Sequence, residues 1–243
     1  MSTAGPRDLT PGVGQVDVAG YEENGFVGPF TLATPAQMYM VALHLIGSVF
    51  TRPGPDAEVF GVNRHIDAPV VAQLATHPEI AGRAEALLGP DLVVWRTVFF
   101  AKGADGEEIP WHQDLHFWRL EPPLTLTAWI AIDRAHRDDN CMEVIPGSHL
   151  SDVPHVRAPG SVFGEMAAPE MVDVTRAVPL EAEAGQFFLF DRRLLHRSRP
   201  GGKGQGRRLA LSVRIAPAFV TIDPSLLPAS GEVLPMRGVA TRE

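Results

Sequence analysis

The sequence predicts an antiparallel sheet or sandwich flanked by helices, and three observations lead there. Helical periodicity is confined to the first 90 or so of the 243 residues. After Pro90 the apolar period changes to two. The chain also carries 23 glycines and 22 prolines spread along its length, well above average usage of roughly 12% together, as expected for many turns between short strands. Helices first and strands later argue against a chain of βαβ units. The length suits one such domain, with a second unexpected.

Residues 1–18 are small and polar without a period and read as a flexible N-terminal arm, leaving 19–243 as a single domain. Thr34-Pro35-Ala36-Gln37 reads as a helix start: Thr34 at the N-cap, Pro35 at the first helical position, Gln37 closing a capping box. Met38, Val41, Ala42, Leu45, Ile46 and Val49 follow at helical spacing. A second helix is expected from Asp67, with Asp67 as its cap and Pro69 in its first turn. A third follows Pro78, carries Ile80, Ala84, Leu87 and Leu88, and stops at Gly89-Pro90.

Leu92 to Phe100 is rich in β-branched and aromatic residues and reads as a strand. Leu124 to Asp133 alternates, with Leu124, Leu126, Ala128, Ile130 and Ile132 on one face and Thr125, Thr127, Trp129, Ala131 and Asp133 on the other. Gln186 to Phe190 is a short aromatic strand. Arg208 to Ile215 alternates again: Leu209, Leu211, Val213 and Ile215 oppose Arg208, Ala210, Ser212 and Arg214. Residues 150–180 have little period and several Pro, Gly and Met, the composition of a lid over a site.

Composition narrows the function. A net charge of −8 is the wrong sign for a generic binder of nucleic acid or anionic membrane, so neither partner is expected. The single cysteine, Cys141, excludes an internal disulfide and a multi-cysteine metal site. The N-terminus lacks the apolar run of a signal peptide, and no stretch reaches the ~20 apolar residues of a membrane span. A cytoplasmic protein is expected.

The chemistry centres on Trp111-His112-Gln113-Asp114. On an extended chain, residues i and i+2 share a face, so His112 and Asp114 can offer one nitrogen and one oxygen to a single metal. A distant histidine, His196, would complete a two-histidine, one-carboxylate triad with open positions, the arrangement of non-haem Fe(II) oxygenases. The motif alone is weak. Nine histidines and 14 aspartates give about 0.5 such pairs by chance, and the chain has two, the other being His65-Ile66-Asp67. Ordinary polar side chains at His112 and Asp114, and a solvent-facing strand for Arg208 and Arg214, are the plainer alternatives, and a zinc pair at His112 and His116 would need a helix there.

The sequence also resembles the phytanoyl-CoA dioxygenase (PhyH) superfamily of Fe(II)/2-oxoglutarate oxygenases, and within it the branch of aliphatic chlorinating enzymes. The matching stretches are Asn24-Gly-Phe-Val-Gly-Pro-Phe, Asn63-Arg-His, His77-Pro-Glu, Leu88-Gly-Pro-Asp, Trp95-Arg, Phe99-Phe, Pro110-Trp-His-Gln-Asp, Ala128-Trp-Ile-Ala-Ile, Val144-Ile-Pro-Gly-Ser-His and the strand from Arg208 to Pro217. Together they cover about residues 20–239.

The resemblance implies a double-stranded β-helix (jelly-roll, cupin-like) core, with His112, Asp114 and His196 as iron ligands. It implies Arg208, with Arg207 as fallback, as the anchor for the distal carboxylate of 2-oxoglutarate. Trp129 and Ser198 are implied beside that cosubstrate, and Arg214 as a second arginine near the iron. The chlorinating enzymes carry a small residue where this chain has Asp114, so the resemblance implies hydroxylation by Fe(II), 2-oxoglutarate and O2, with release of succinate and CO2. A small biosynthetic metabolite is the implied substrate, an amino acid or derivative, free or presented by a carrier protein. Around the motif, His116, Phe117, Trp118, Arg119, Arg96 and Lys102 are candidates for its contacts. A non-catalytic jelly-roll binding module, a halogenase that tolerates the aspartate and a zinc hydrolase are the rival readings.

Overall fold

The computed structural model describes residues 15–56, 61–103, 106–139, 141–200 and 208–236. Four α-helices lie among them: α1 (Val18–Asn24), α2 (Pro35–His44), α3 (Pro69–Ala75) and α4 (Pro78–Leu88). The strands are β1 (Phe26–Thr31), β2 (Leu92–Lys102), β3 (Ile109–His112), β4 (Leu120–Glu121), β5 (Leu126–Ala131), β6 (Met142–Val144), β7 (His155–Arg157), β8 (Glu165–Ala167), β9 (Val178–Leu180), β10 (Gln186–Asp191), β11 (His196–Ser198), β12 (Arg208–Pro217), β13 (Thr221–Ile222) and β14 (Leu234–Pro235).

The major sheet has the order β1-β10-β5-β12-β2-β14, the minor sheet β3-β11-β6-β9, and every pairing is antiparallel. Two-stranded ladders join β4 to β13 and β7 to β8. This is a jelly roll with helices outside it. No helix among the described residues is long and apolar enough to cross a membrane.

Period two explains the layers. Leu126, Ala128, Ile130 and Ile132 of the β5 segment and Leu209, Leu211, Val213 and Ile215 of β12 bury against Met38, Ala42, Val71, Leu74, Ile80 and Ala84 from α2, α3 and α4. The opposite face turns inward. There Trp129, Ala131, Phe188, Phe190 and Ala210 meet Met142, Val144 and Leu180 of the minor sheet. Arg208, Ser212 and Arg214 share that inner face, and the whole of β12 is buried. The solvent-facing alternative for this strand is therefore corrected: Arg208 is 2% exposed and Arg214 5%.

The capping box at Thr34 forms as expected, with Gln37 N–H donating to Thr34 Oγ1 and Thr34 N–H to Gln37 Oε1. α4 spans the expected residues and ends at Gly89, φ +85°. Asp67 is a correction. The second helix starts at Pro69 with Ala68 at its cap, and Asp67 accepts a forked pair of hydrogen bonds from Arg64 at 2.9 and 3.0 Å. The buried Arg64 guanidinium, three residues upstream, takes the carboxylate away from the capping role. Residues 1–14 of the expected arm lie outside the described residues, and Val18 already belongs to α1. The 150–180 segment is not irregular throughout; it contains the β7–β8 hairpin, two 3-10 turns and β9.

Candidate active site

Register across the minor sheet builds the centre of the site. β11 runs antiparallel to β3 with His196 directly opposite His112, which sets the two rings 4.1 Å apart by centroid. β3 ends at His112. Gln113 is extended, and Asp114 opens a 3-10 turn, Asp114–Phe117. The turn lifts the carboxylate beside both rings. Asp114 Oδ1 lies 3.7 Å from His112 Nε2 and 3.9 Å from His196 Nε2. One ligand atom from each of the three residues falls within 4.8 Å of the others, and all three residues are buried.

Both imidazoles are pinned by the backbone carbonyl two residues before them. His112 Nδ1 is 2.8 Å from the Pro110 carbonyl and His196 Nδ1 is 2.9 Å from the Leu194 carbonyl. A carbonyl only accepts, so Nδ1–H donates in each ring and Nε2 is left for a metal. Burial, reinforced by the neighbouring His112, pushes the His196 ring down to about 3, so it is neutral at physiological pH. Burial opposes ionisation of Asp114, but Arg214 overrides it and holds the carboxyl well below the usual carboxylate range. Two imidazole nitrogens and one carboxylate oxygen converge there, the donor set that Fe(II) takes in oxygenases.

Arg214 and Thr127 hold the aspartate from behind. They are partners across β12 and β5. Arg214 donates to Thr127 Oγ1, and its Nη1 lies 2.8 Å from Asp114 Oδ2. Its guanidinium also sits over the Trp118 ring, 4.6 Å from the centroid. The nearer contacts fall on Oδ2, which turns Oδ1 toward the histidines.

One cavity joins the triad's histidines to the inner face of β12. His112, His196, Trp129, Ser198, Arg208, Ser212 and Arg214 line it, with Phe100, Ile109, Met142, Phe163 and Phe190 as apolar wall. Arg208 sits over the Trp129 ring at 5.4 Å. Lys102, its partner across the β-ladder, is pushed down to about 8 by burial and then by the Arg208 charge. That end of the cavity is thus cationic, which suits a carboxylate gripped by a guanidinium fork. Arg207 lies outside the described residues.

Several residues expected around the substrate make contacts within the fold. Lys102 Nζ donates to the carbonyls of Ser198 and Arg199 at 2.9 and 2.6 Å. Arg96 donates to Leu226 O at 2.8 Å. Trp118 packs edge-on against Trp95. His116 pairs with Glu165 at 2.7 Å and stacks on His155 rather than joining His112 on a helix face, which removes the zinc-pair alternative. Arg197 is at the cavity wall and tied to Glu143 at 2.6 Å. Two residues escaped the sequence reading: Thr127, legible only once β5 is aligned with β12, and Gln113, the middle residue of the motif.

The fold and site define a class: a jelly roll whose inner face presents a two-histidine, one-carboxylate triad beside a buried arginine. The family model for phytanoyl-CoA dioxygenase (PhyH) matches residues 21–209, and the chain belongs to that family. Human peroxisomal phytanoyl-CoA dioxygenase is 32% identical over 152 residues, which is 59% of this chain and 45% of that protein. The chain thus matches less than half the length of this curated relative. Among solved structures, apo ThoJ, a non-heme monooxygenase, superposes with a TM-score of 0.76 at 26% identity over 93% of this chain and 85% of its own. CytC3 with Fe(II) and alpha-ketoglutarate shares the fold at a TM-score of 0.63 and 24% identity, over 85% of this chain and 78% of its own.

Proposed function

We propose that the protein is an Fe(II)- and 2-oxoglutarate-dependent dioxygenase that hydroxylates an unactivated carbon of a small biosynthetic metabolite. The observation that carries the reading is the cavity lined by both His112 and His196 of the His112–Asp114–His196 cluster and by Arg208. His112, Asp114 and His196 would hold the iron, and Arg208 would grip the distal carboxylate of 2-oxoglutarate. Membership of the PhyH family and the Fe(II) and alpha-ketoglutarate in the CytC3 structure support that pairing. O2 would be the oxidant: iron held there would let it take two electrons from 2-oxoglutarate, released as succinate and CO2, and two from the substrate C–H bond.

The chain's own residues bind, orient and exclude water. The backbone carbonyls of Pro110 and Leu194 fix the ring tautomers. Arg214 and Thr127 aim the carboxylate. Trp129 and Arg208 form a stacked wall on the cationic side, with Ser198 and Ser212 as nearby hydroxyls. Phe163, 4.9 Å from the His112 ring by centroid, closes the cavity with an apolar face. With Asp114 present among the ligands, hydroxylation is favoured over halogen transfer. The substrate is an amino acid or derivative, free or on a carrier protein, and the protein works in the cytoplasm.

The test begins without substrate. Fe(II) and 2-oxoglutarate added under anaerobic conditions should give a weak visible charge-transfer band that needs both. A substrate screen reading succinate release, followed by product mass, then identifies the reaction. Absence of the band, together with indifference of any activity to 2-oxoglutarate, would overturn the reading in favour of a binding module or a zinc hydrolase.

A further inference from the structure

We infer that Gln113, the residue between the two ligands of the His-x-Asp motif, is a positioning residue that couples metal binding to seating of the β7–β8 hairpin. The inference rests on the metal site proposed above. Gln113 is 3% exposed, and its carboxamide joins segments from both sides of the site. Nε2 donates to Arg193 O at 2.6 Å and to Ser151 O at 2.9 Å. Oε1 accepts from Val153 N–H at 2.8 Å. Its own backbone N–H donates to His155 Nε2 at 3.1 Å.

Each partner leads somewhere. Arg193 lies in the turn that delivers His196, next to Leu194, whose carbonyl holds the His196 ring. Ser151, Val153 and His155 form the entry to the hairpin. His155 is itself fixed, since Nδ1 donates to Val153 O at 2.9 Å and leaves Nε2 as the acceptor. Farther along the hairpin, Glu165 pairs with His116, and Phe163 packs on both Phe117 and His112. The stretch from His112 to Phe117 thus supplies two of the three ligands and also these anchors of the hairpin. An amide at position 113 satisfies donors and acceptors of both kinds in one buried place. An apolar residue would leave the Val153 N–H and the Ser151 and Arg193 carbonyls, all in part-buried hydrogen bonds, without their partner.

The consequence is linkage: what orders the 112–114 segment also orders the hairpin, and the reverse holds by the same free energy. Residues that orient metal ligands from behind typically change metal affinity by about 10–100-fold when replaced.

The experiment is hydrogen–deuterium exchange of the full chain with Mn(II) and 2-oxoglutarate, anaerobic, alongside Mn(II) titration, for wild type, Gln113→Met and His155→Phe. Wild type should bind Mn(II) and show slower exchange over residues 151–167 when it does. Gln113→Met should bind Mn(II) about 10–100-fold more weakly and lose that metal-dependent protection, while metal-independent protection of β5 stays as in wild type. A residue that only supported the fold would lower protection everywhere and leave the metal-dependent part intact. His155→Phe keeps a ring against His116 and removes the Nε2 acceptor together with the Nδ1–H donated to Val153 O. It should lose the hairpin's response with a smaller loss of affinity, and it carries the test if Gln113→Met does not fold. Mn(II) binding without a hairpin response in wild type, or wild-type affinity and response in the variants, overturns the coupling alone. Failure of wild type to bind Mn(II) overturns the functional reading and the coupling with it.

Discussion

Arg214 forks across Asp114, with Nη1 2.8 Å from Oδ2 and Nη2 3.4 Å from Oδ1, although 100 residues separate them in the chain. Both are buried, so the pair is a charge balance as well as an orientation device. Breaking a buried ion pair by removing one partner costs about 3–5 kcal/mol, because the survivor is left uncompensated. Arg214→Met should therefore destabilise the metal-free protein by an amount of that order. A divalent metal can restore the balance at Asp114, so the metal-induced rise in Tm should be larger in the variant than in wild type. Thermal unfolding with and without Mn(II) checks both, and an equal rise would show that Arg214 does not neutralise the ligand.

Buried imidazoles give the metal-free protein a pH signature. Burial pushes His65 and His155 down to about 4 and His196 to about 3. In the unfolded chain each ring titrates near 6.5. Between those values the unfolded state binds more protons, so stability is complete above about pH 6.5 and declines as pH falls toward 4. Denaturant unfolding across pH 4–8 should show that slope, and His65→Gln, which removes one such ring beside Thr97, should make it shallower.

Arg208→Lys keeps the charge and loses the fork. The affinity for 2-oxoglutarate should drop by about 1.5–3 kcal/mol, the range of a hydrogen bond to a charged group, or about 10–100-fold. Metal affinity in the absence of 2-oxoglutarate should not change. Anaerobic titration with and without the cosubstrate separates the two, and a loss confined to the metal would move the anchor elsewhere.

Much of this was legible before the fold, and the reason is periodicity. The strict alternation of Arg208 to Ile215 sorted apolar residues toward the helices and Arg208, Ser212 and Arg214 onto one face. Only the partner strands showed that this face looks inward. The Thr34 capping box is local and was readable from four residues. His-x-Asp was not decisive alone: His65-Ile66-Asp67 has the same spacing, yet Asp67 pairs with Arg64 and His65 with Thr97. The roles of Thr127 and Gln113 were not legible because each depends on partners brought together by sheet register or by a distant turn. The 150–180 hairpin was hidden by its brevity, with strands of three residues.

Asp114→Gly opens a ligand position beside a cation that has lost its partner. The variant should lose most 2-oxoglutarate-dependent turnover, and chloride should affect its binding of iron and 2-oxoglutarate more than in wild type, because Arg214 remains to balance an anion there. Chlorination of the product needs substrate placement accurate to about 1 Å as well, so chloride sensitivity of binding is the result to read. Equal insensitivity in both proteins would mean that Asp114 does not hold that coordination position.

The central claim, one iron held by His112, Asp114 and His196 next to 2-oxoglutarate held by Arg208, is tested most directly by the anaerobic visible spectrum of wild type, His196→Ala and Arg208→Lys titrated with Fe(II) and 2-oxoglutarate. Wild type should develop a band that saturates at one iron per chain, Arg208→Lys should develop it only at higher 2-oxoglutarate, and His196→Ala should not develop it while remaining folded by circular dichroism. A wild-type band in His196→Ala, or no band in wild type at saturating Fe(II) and 2-oxoglutarate, would contradict the account.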